Sequence, residues 1–574
     1  MSGWRSNRAA WGPVVLLLTI CLSALYCAAN LIQVGRVIES ASGMVVAAHR
    51  DAAEAGAKIL QAGGNAIDAA VAAAFVLAVV EPEASGLGGG GFLLYYDVDR
   101  AQSLALNYRE TAPESATPGM YSLDGTGSPG HWDAPEDADA QTSLRKHGGG
   151  AIAVPRMVAG LLHAHGQCGR VPLASVLEPA IGLAENGFEV SENLYRCVLD
   201  AYDVILSDEA MAEAFLNDWL PFEPGEMMCR PDLARTFRTL ASEGADAFYR
   251  GDMASKIVRA IEEAGGIITR EDLSGVSVAM EPALTSTYRG WALTGLTPPA
   301  GATQIFETLN VLEAVSLSEM TPGGSEAIHW IAEAIKLSFA DRRAYLGDPT
   351  CGAFAWDRLL SKDWTSARFA QIDPEGAVLD PSPHVPNGGS TTHISVIDAD
   401  GNMVSLTQSI SYFFGSRVFV PEVGIVMNNT MADFDPEPGG PNSIAPGKIP
   451  MSSMSPMLMS DGDRVHCILG TPGGTRIIST MVQLLVDLID WGVSLDMAMD
   501  RARFHTEGAD LYVESRIPEP VLESLRALGH PITARSAFDL YFGGAQAIWT
   551  VGTGDSARHL GVSDPRRAGQ AAGY

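Results

Sequence analysis

The sequence predicts an α+β fold of layered helices and sheets, on three observations. The 574-residue chain is 47% hydrophobic and 18% charged, which supplies a large core and does not fit a disordered chain. Residues 156–345 read mostly as helix, whereas the chain beyond 390 changes to alternating strand patterns joined by tight turns. The 60 glycines have no collagen period and point to close backbone turns. Length alone suggests roughly three to four domain-sized units.

At the start of the chain, Arg5 and Arg8 precede an apolar stretch from about residue 11 to 32. Residues 1–29 therefore read as a signal peptide or an N-terminal membrane anchor. Cys27-Ala28-Ala29 offers a small-residue cleavage site after Ala29, but the stretch is also long enough to span a bilayer. Either way the charge placement predicts an exported chain, periplasmic or extracellular. Residues 52–62 follow as an amphipathic helix that stops at Gly63-Gly64. Asn65 caps a second helix at 66–80, with Asp68 in its first turn; it is apolar nearly all round and so buried. Glu81-Pro82 ends it, a glycine loop follows, and 92–96 is a strand.

Residues 122–150 lack apolar periodicity and read as a long surface loop or insertion. A strand near 292–296 interrupts the helical region, and a polar, Pro-rich linker covers 373–390. Strands at 393–398 and 403–410 then form a hairpin about Asp400-Gly401. Further on, a strand at 465–469, a turn at 472–474 and a helix at 476–491 make a strand–turn–helix unit.

Composition excludes several function classes. A net charge of −30 repels phosphate backbones, so no nucleic-acid partner is expected. The five cysteines beyond the N-terminal segment are odd in number and widely spaced, and read as small buried hydrophobes, not a disulfide framework. Gly86, Gly88 and Gly91 match a dinucleotide fingerprint in spacing only: the order is helix, loop, strand, so a close-packed turn is expected. His163 and His165 stand two apart on a helix and point to different faces, so they and Cys168 do not make a metal site. No cofactor and no metal are expected.

The segment that carries chemistry is Gly388-Gly389-Ser390-Thr391-Thr392-His393. A polar linker ends there in two threonines that open a strand. A cut before Thr391 would give one residue both a hydroxyl nucleophile and a free α-amine. That amine titrates near ~7.7–8.0 and can act as base. The cut could be self-made, by attack of Thr391 Oγ1 on the Ser390 carbonyl.

Further segments extend the pattern: Gly63-Gly64-Asn65-Ala66-Ile67-Asp68-Ala69-Ala70, Gly86–Gly91, Tyr108-Arg109-Glu110-Thr111-Ala112-Pro113, Met427-Asn428-Asn429, Pro450-Met451-Ser452-Ser453-Met454-Ser455-Pro456, Thr471-Pro472-Gly473-Gly474-Thr475 and Ser563-Asp564-Pro565-Arg566. In this order, over about residues 43–574, the chain resembles the γ-glutamyltransferase family of N-terminal-nucleophile hydrolases. The resemblance implies a four-layer αββα sandwich, one globule formed from a large subunit (30–390) and a small subunit (391–574) after self-cleavage. It implies glutathione or another γ-glutamyl compound as acyl donor, and water or an amino acid or peptide as acceptor. Thr391 would be the nucleophile and Ser409 its supporting hydroxyl, where the family has threonine. Gly473 and Gly474 would form the oxyanion hole. Arg109 would grip the substrate α-carboxylate with help from Ser452 and Ser453, and Asp433 would pair with the α-ammonium.

The chain also departs from the pattern. Ser411 stands where well-studied members carry Asn, Thr430 where they carry Gln or Glu, and Ala432 where they carry Asp. Ser411 and Thr430 are thus expected at the α-amino end, with donor recognition altered. The segment 434–450 is short, which implies a truncated lid and an open site. A related acylase or amidohydrolase acting on a different acyl amide is the alternative these departures leave open.

Overall fold

The hairpin expected around Asp400-Gly401 forms the centre of the molecule. The computed structural model describes residues 31–121, 144–352, 355–378, 390–552 and 556–574. Strand Ser390–Ile397 pairs antiparallel with Met403–Ser411, and Asp398 holds the turn by accepting from the N–H groups of Asp400 and Asn402. On its other side, Ser390–Ile397 pairs with Met44–Ala47. The full eight-stranded sheet runs Gln33–Gly35, Gln570–Gly573, Met44–Ala47, Ser390–Ile397, Met403–Ser411, Gly90–Asp97, Gln102–Asn107, Met280–Pro282. A seven-stranded sheet runs Leu284–Tyr288, Trp291–Gly295, Met457–Ser460, Val465–Gly470, Gln546–Val551, Arg558–Ser563, Val37–Ser40.

Side-chain alternation sets the layers. Ile394 and Val396 join Val45, Ala47, Leu93 and Val404 in a core shared with the helices of the first part of the chain. Met44, Val46, Phe92 and Leu94 point the other way, into a core with the second sheet and helices Ala302–Leu312, Ser325–Tyr345 and Arg476–Ile489. The result is helices, sheet, sheet, helices, the αββα sandwich. Between the sheets His393 and Ser395 replace apolar contacts. Ser395 Oγ donates to the Gln546 carbonyl across the sheet gap (3.1 Å), and the His393 ring lies against Gly470, where a Cβ would come within 2.2 Å of it.

Helix Ala66–Val80 packs beneath the central strands with every residue buried, as its apolar sequence requires. Asn65 and Asp68 close a capping box, and Asp398 of the hairpin turn accepts the Ala66 N–H (3.0 Å). Gly88 and Gly89 make a close-packed approach to strand Gly90–Asp97: a Cβ at Gly89 would meet the Ser409 carbonyl at 2.2 Å, and one at Gly88 the Val426 carbonyl at 2.2 Å.

Two expectations are corrected. Both sheets draw strands from both ends of the chain, so the length prior of three to four units gives way to a single sandwich. The middle of the chain is mostly helical as expected, with short strand pairs, Phe188–Glu189 with Met227–Met228 and Leu216–Asn217 with Leu220–Pro221, between its helices. Of the cysteines only Cys197 and Cys467 are buried; Cys229 and Cys351 are exposed, the latter in a turn where it contacts Asp348, and Cys168 is half-buried. The N-terminal segment 1–29, most of the 122–150 insertion and the linker residues 379–389 lie outside the described residues. Among the described residues no helix is long and apolar enough to cross a membrane.

Candidate active site

Where the two central strands begin and end, the register slips: Ser390 faces Ser411 and Thr392 faces Gln408, so one residue, Thr391, stands opposite two. Thr391 Oγ1 donates to Ser409 Oγ (3.2 Å), and Ser409 Oγ donates to the carbonyl of Ser390 through a short bond. The Ser411 N–H adds a third contact to Ser409 Oγ (2.8 Å), and Arg567 donates to the Thr391 carbonyl (2.8 Å). Ser409 therefore touches both the hydroxyl and the carbonyl that flank the Ser390–Thr391 peptide bond. The glycine loop fixes it from behind, since Ser409 pairs with Gly90.

Thr391 and Ser409 line a pocket with Arg109, Arg342, Ser411, Tyr412, Asp433, Ser452, Ser453 and Gly474. Arg109, which follows strand Gln102–Asn107, is 2% exposed. It donates through Nη2 to Asp433 Oδ2 (2.5 Å) and through Nη1 to Glu110 Oε2 (3.4 Å). Asp433 also accepts from Ser411 Oγ (3.1 Å). Glu110 is fully buried; burial pushes its pKa up, and the adjacent Arg109 is the main influence pulling it back. The loop carrying Asp433 is braced by Asn442, which donates to the Asp433 carbonyl, and by Arg145, which donates to those of Ala432 and Phe434. The 434–450 segment thus does bracing work beside the pocket.

Thr430 is buried, and its hydroxyl donates to Glu110 Oε1 (3.0 Å). It acts on Arg109 through Glu110 and is not among the residues lining the pocket. Ser411 lines the pocket with φ +79°, a left-handed backbone that strains a residue with a Cβ. Strand Val465–Gly470 leads through Thr471-Pro472-Gly473-Gly474 into helix Arg476–Ile489. Gly473 and Gly474 adopt φ +135° and +58°, and their carbonyls accept the N–H groups of Arg476 and Ile477. Gly474, Thr475 and Ile477 line the pocket, so the positive end of this helix starts at its wall, an arrangement that stabilises an oxyanion.

Sequence reasoning missed Arg342, Glu110 as a partner of Arg109, and Tyr412, whose ring carries Lys146 over its face (5.1 Å). The partners of Arg342 and Tyr412 come from segments distant in sequence, so no local spacing betrays them, whereas Glu110 adjoins Arg109 and its pairing shows only once both are buried. Asn428 ties the glycine loop to the 153 region by donating to the carbonyls of Gly88 and Ala153. His165 is engaged structurally, with Nε2 donating to the Val171 carbonyl (2.9 Å). Among the described residues one cluster could group around a cation: His329, Glu333 and His530. Its facing groups bond each other and their neighbours: His329 Nδ1 bonds His530 Nε2 (2.9 Å), and Glu333 accepts from Lys336 (2.7 Å) and the Val378 N–H (3.0 Å).

Comparison with known proteins agrees with this geometry. The family profile described as gamma-glutamyltranspeptidase matches residues 52–574. The acylase ACY 1 proenzyme of Pseudomonas sp. (strain SE83) is 38% identical over 85% of this chain and 87% of its own. The glutathione hydrolase proenzyme of Escherichia coli (strain K12) is 34% identical over 92% and 91%. Among solved structures, the cephalosporin acylase of Bacillus halodurans superposes with a TM-score of 0.84 at 29% identity, covering 94% of this chain and 97% of its own. The gamma-glutamyltranspeptidase of Helicobacter pylori gives 0.54 at 34% identity over 59% and 94%. With the layered sandwich, the hydroxyl chain at Thr391 and these matches together, the chain belongs to the gamma-glutamyltranspeptidase family of N-terminal-nucleophile hydrolases.

Proposed function

We propose that the chain is exported, cuts itself between Ser390 and Thr391, and then acts as a γ-glutamyltransferase and glutathione hydrolase. The observation that carries the reading is the relay Thr391 Oγ1 to Ser409 Oγ to the Ser390 carbonyl. In the cut, Thr391 Oγ1 bonds to the Ser390 carbonyl carbon. Its proton moves to Ser409, and the Ser409 proton moves to the carbonyl oxygen, so no net charge builds up. The C–N bond then breaks, the nitrogen takes the proton, and water hydrolyses the resulting ester. The products are a Ser390 carboxylate and a Thr391 α-amine.

In turnover that amine serves as base for Thr391 Oγ1, which attacks the γ-amide of the donor. The tetrahedral oxyanion falls at Gly473 and Gly474, at the positive end of helix Arg476–Ile489. Expelling the amine leaves a γ-glutamyl ester on Thr391, which water or the amine of an amino acid or peptide resolves. Arg109, Ser452 and Ser453 take the donor carboxylate. Asp433 exchanges its bond to Arg109 for the donor ammonium, and Ser411 Oγ adds a contact at that end.

Mass spectrometry of purified protein tests the cut: a fragment starting at Thr391 is expected, and a full-length band alone defeats the reading. The same spectra report whether residues 1–29 are removed. Hydrolysis of a γ-glutamyl anilide tests the donor. A second reading, an acylase for another acyl group, is favoured by Asp433 being tied up by Arg109, by Ser411 Oγ bonding Asp433 at the amino end, and by Thr430 lying outside the pocket against Glu110. Cleavage of a glutaryl anilide without cleavage of the γ-glutamyl anilide would select it.

A further inference from the structure

One arginine in the pocket is left without a task by this mechanism. Arg342 sits in the last turn of helix Ser325–Tyr345, in the part of the chain before the cut, and lines the pocket with Thr391. Its Nη1 donates to Ser453 Oγ (2.9 Å), to the Ser452 carbonyl (3.3 Å) and to Gln304 Oε1 (3.2 Å). Gln304 is itself oriented, because its amide nitrogen donates to Ser338 Oγ (3.3 Å), one turn back on the same helix as Arg342. Burial pushes the guanidinium pKa down while Glu507, Asp433 and Asp435 pull it up and Arg109 opposes them. An arginine stays charged under such conditions.

The Ser452–Ser453 turn needs such a hold. It belongs to no helix or strand, so no ladder fixes its hydroxyls. Its backbone is pinned where the Ser452 N–H donates to the Pro299 carbonyl (2.8 Å), the Gly301 N–H to the Met454 carbonyl (3.0 Å) and Ser455 Oγ to the Ser453 carbonyl (2.8 Å), and Ser452 Oγ accepts the Met454 N–H (3.1 Å). The Ser453 side chain is held by Arg342.

We propose that Arg342 is a positioning residue for recognition of the donor carboxylate. It sets the Ser453 hydroxyl from across the two subunits and adds a second positive charge to a pocket whose other arginine is neutralised by Asp433. The proposal rests on the carboxylate-binding reading given above.

A double-mutant cycle tests it, with processed wild type, Arg342→Gln, Arg342→Lys, Ser453→Ala and the double variant. Each is checked first for the Thr391 fragment and for an unchanged thermal midpoint. Arg342→Gln should raise KM for a γ-glutamyl anilide, and the calorimetric Kd for L-glutamate and for glutarate, by about 10- to 100-fold. The loss should fall on KM more than on kcat, and Arg342→Lys should recover part of it. Arg342→Gln and Ser453→Ala should be strongly non-additive. Additive losses, a fall in kcat with KM unchanged, or no effect on carboxylate binding would overturn the proposal. Glutarate binding separates the two readings. If wild type binds glutarate but cleaves no γ-glutamyl anilide, the donor assignment fails and the Arg342–Ser453 coupling is still measured. If Arg342→Lys and Arg342→Gln both fail to fold, Gln304→Leu, which removes only the partner that orients Arg342, must give a smaller KM shift of the same kind.

Discussion

At the Thr391 end of the pocket the polar groups sit on two paired strands and bond to one another's hydroxyls or to backbone. At the Arg109 end they sit on a strand end, a short turn and an irregular segment, and bond as charges. Ser409 is fixed by its ladder to Gly90, and Thr391 is held at the bulge by its bond to Ser409 and by Arg567, so their relation does not depend on a ligand's charges. The recognition end is fixed by ion pairs that a ligand with its own charges can replace. On the proposed function the comparison separates the chemical step from the choice of donor, and the departures at Ser411, Thr430 and Ala432 all fall on the side of donor choice.

The strongest way to break this comparison is Thr391→Ala. It should abolish the cut and lower turnover on the order of 10⁴-fold or more, read by fragment mass and anilide hydrolysis. Next comes Arg109→Gln, which leaves Asp433 without its guanidinium. It should lower kcat/KM roughly 10²- to 10³-fold while the Thr391 fragment still forms. If the cut fails too, the two ends are not separable and the comparison collapses.

A third measurement addresses the rigid end through pH. Burial holds the His393 pKa at about 3, whereas an unfolded histidine titrates near ~6.5. Between those values the unfolded chain carries a proton that the folded one does not. His393 thus withdraws stability as pH falls from 6.5 towards 3, by up to about 1.4 kcal/mol per pH unit, and withdraws none above 6.5. His530, at about 3, acts in the same sense, whereas Glu83, raised by burial to about 8, acts in the opposite one. The comparison that isolates His393 is therefore between slopes: His393→Gln should flatten the fall in urea midpoint between pH 6.5 and 4 relative to wild type. Equal slopes would show that the inter-sheet histidine does not govern acid stability.

The smallest effect is expected at Ser411→Asn. Asparagine tolerates the left-handed backbone at φ +79° better than serine and offers an amide to the donor. A gain of a few-fold in kcat/KM for a γ-glutamyl donor, ΔΔG‡ of about 1 kcal/mol or less, would confirm that donor choice is tuned at this end. A loss would mean that Ser411 Oγ on Asp433 matters more than the backbone.

Local features were legible in the sequence. Asn65 and Asp68 stand at capping-box spacing before an all-apolar run, and Asp400-Gly401 between alternating segments marks a hairpin, so both could be placed from neighbours alone. The strand–turn–helix at 465–489 was legible for the same reason. What could not be read was pairing across the chain. Arg109 meets Asp433 from 324 residues away and Arg342 meets Ser453 from 111, and nothing in either local pattern requires the partner. The fourfold layering likewise came through resemblance, because alternation identifies a two-faced strand but not which sheet lies above it.

Ser390–Ile397 is an interior strand, flanked by Met44–Ala47 and Met403–Ser411, and both sheets interleave segments from before and after Thr391. A chain opened at Ser390–Thr391 would therefore resemble a woven cloth with one thread snipped. Neither product owns either of the two large sheets or a closed core between them, so neither should be isolable as a native partner to be mixed with the other. Separation would require unfolding both, and halves produced from separate genes would have to fold together around each other.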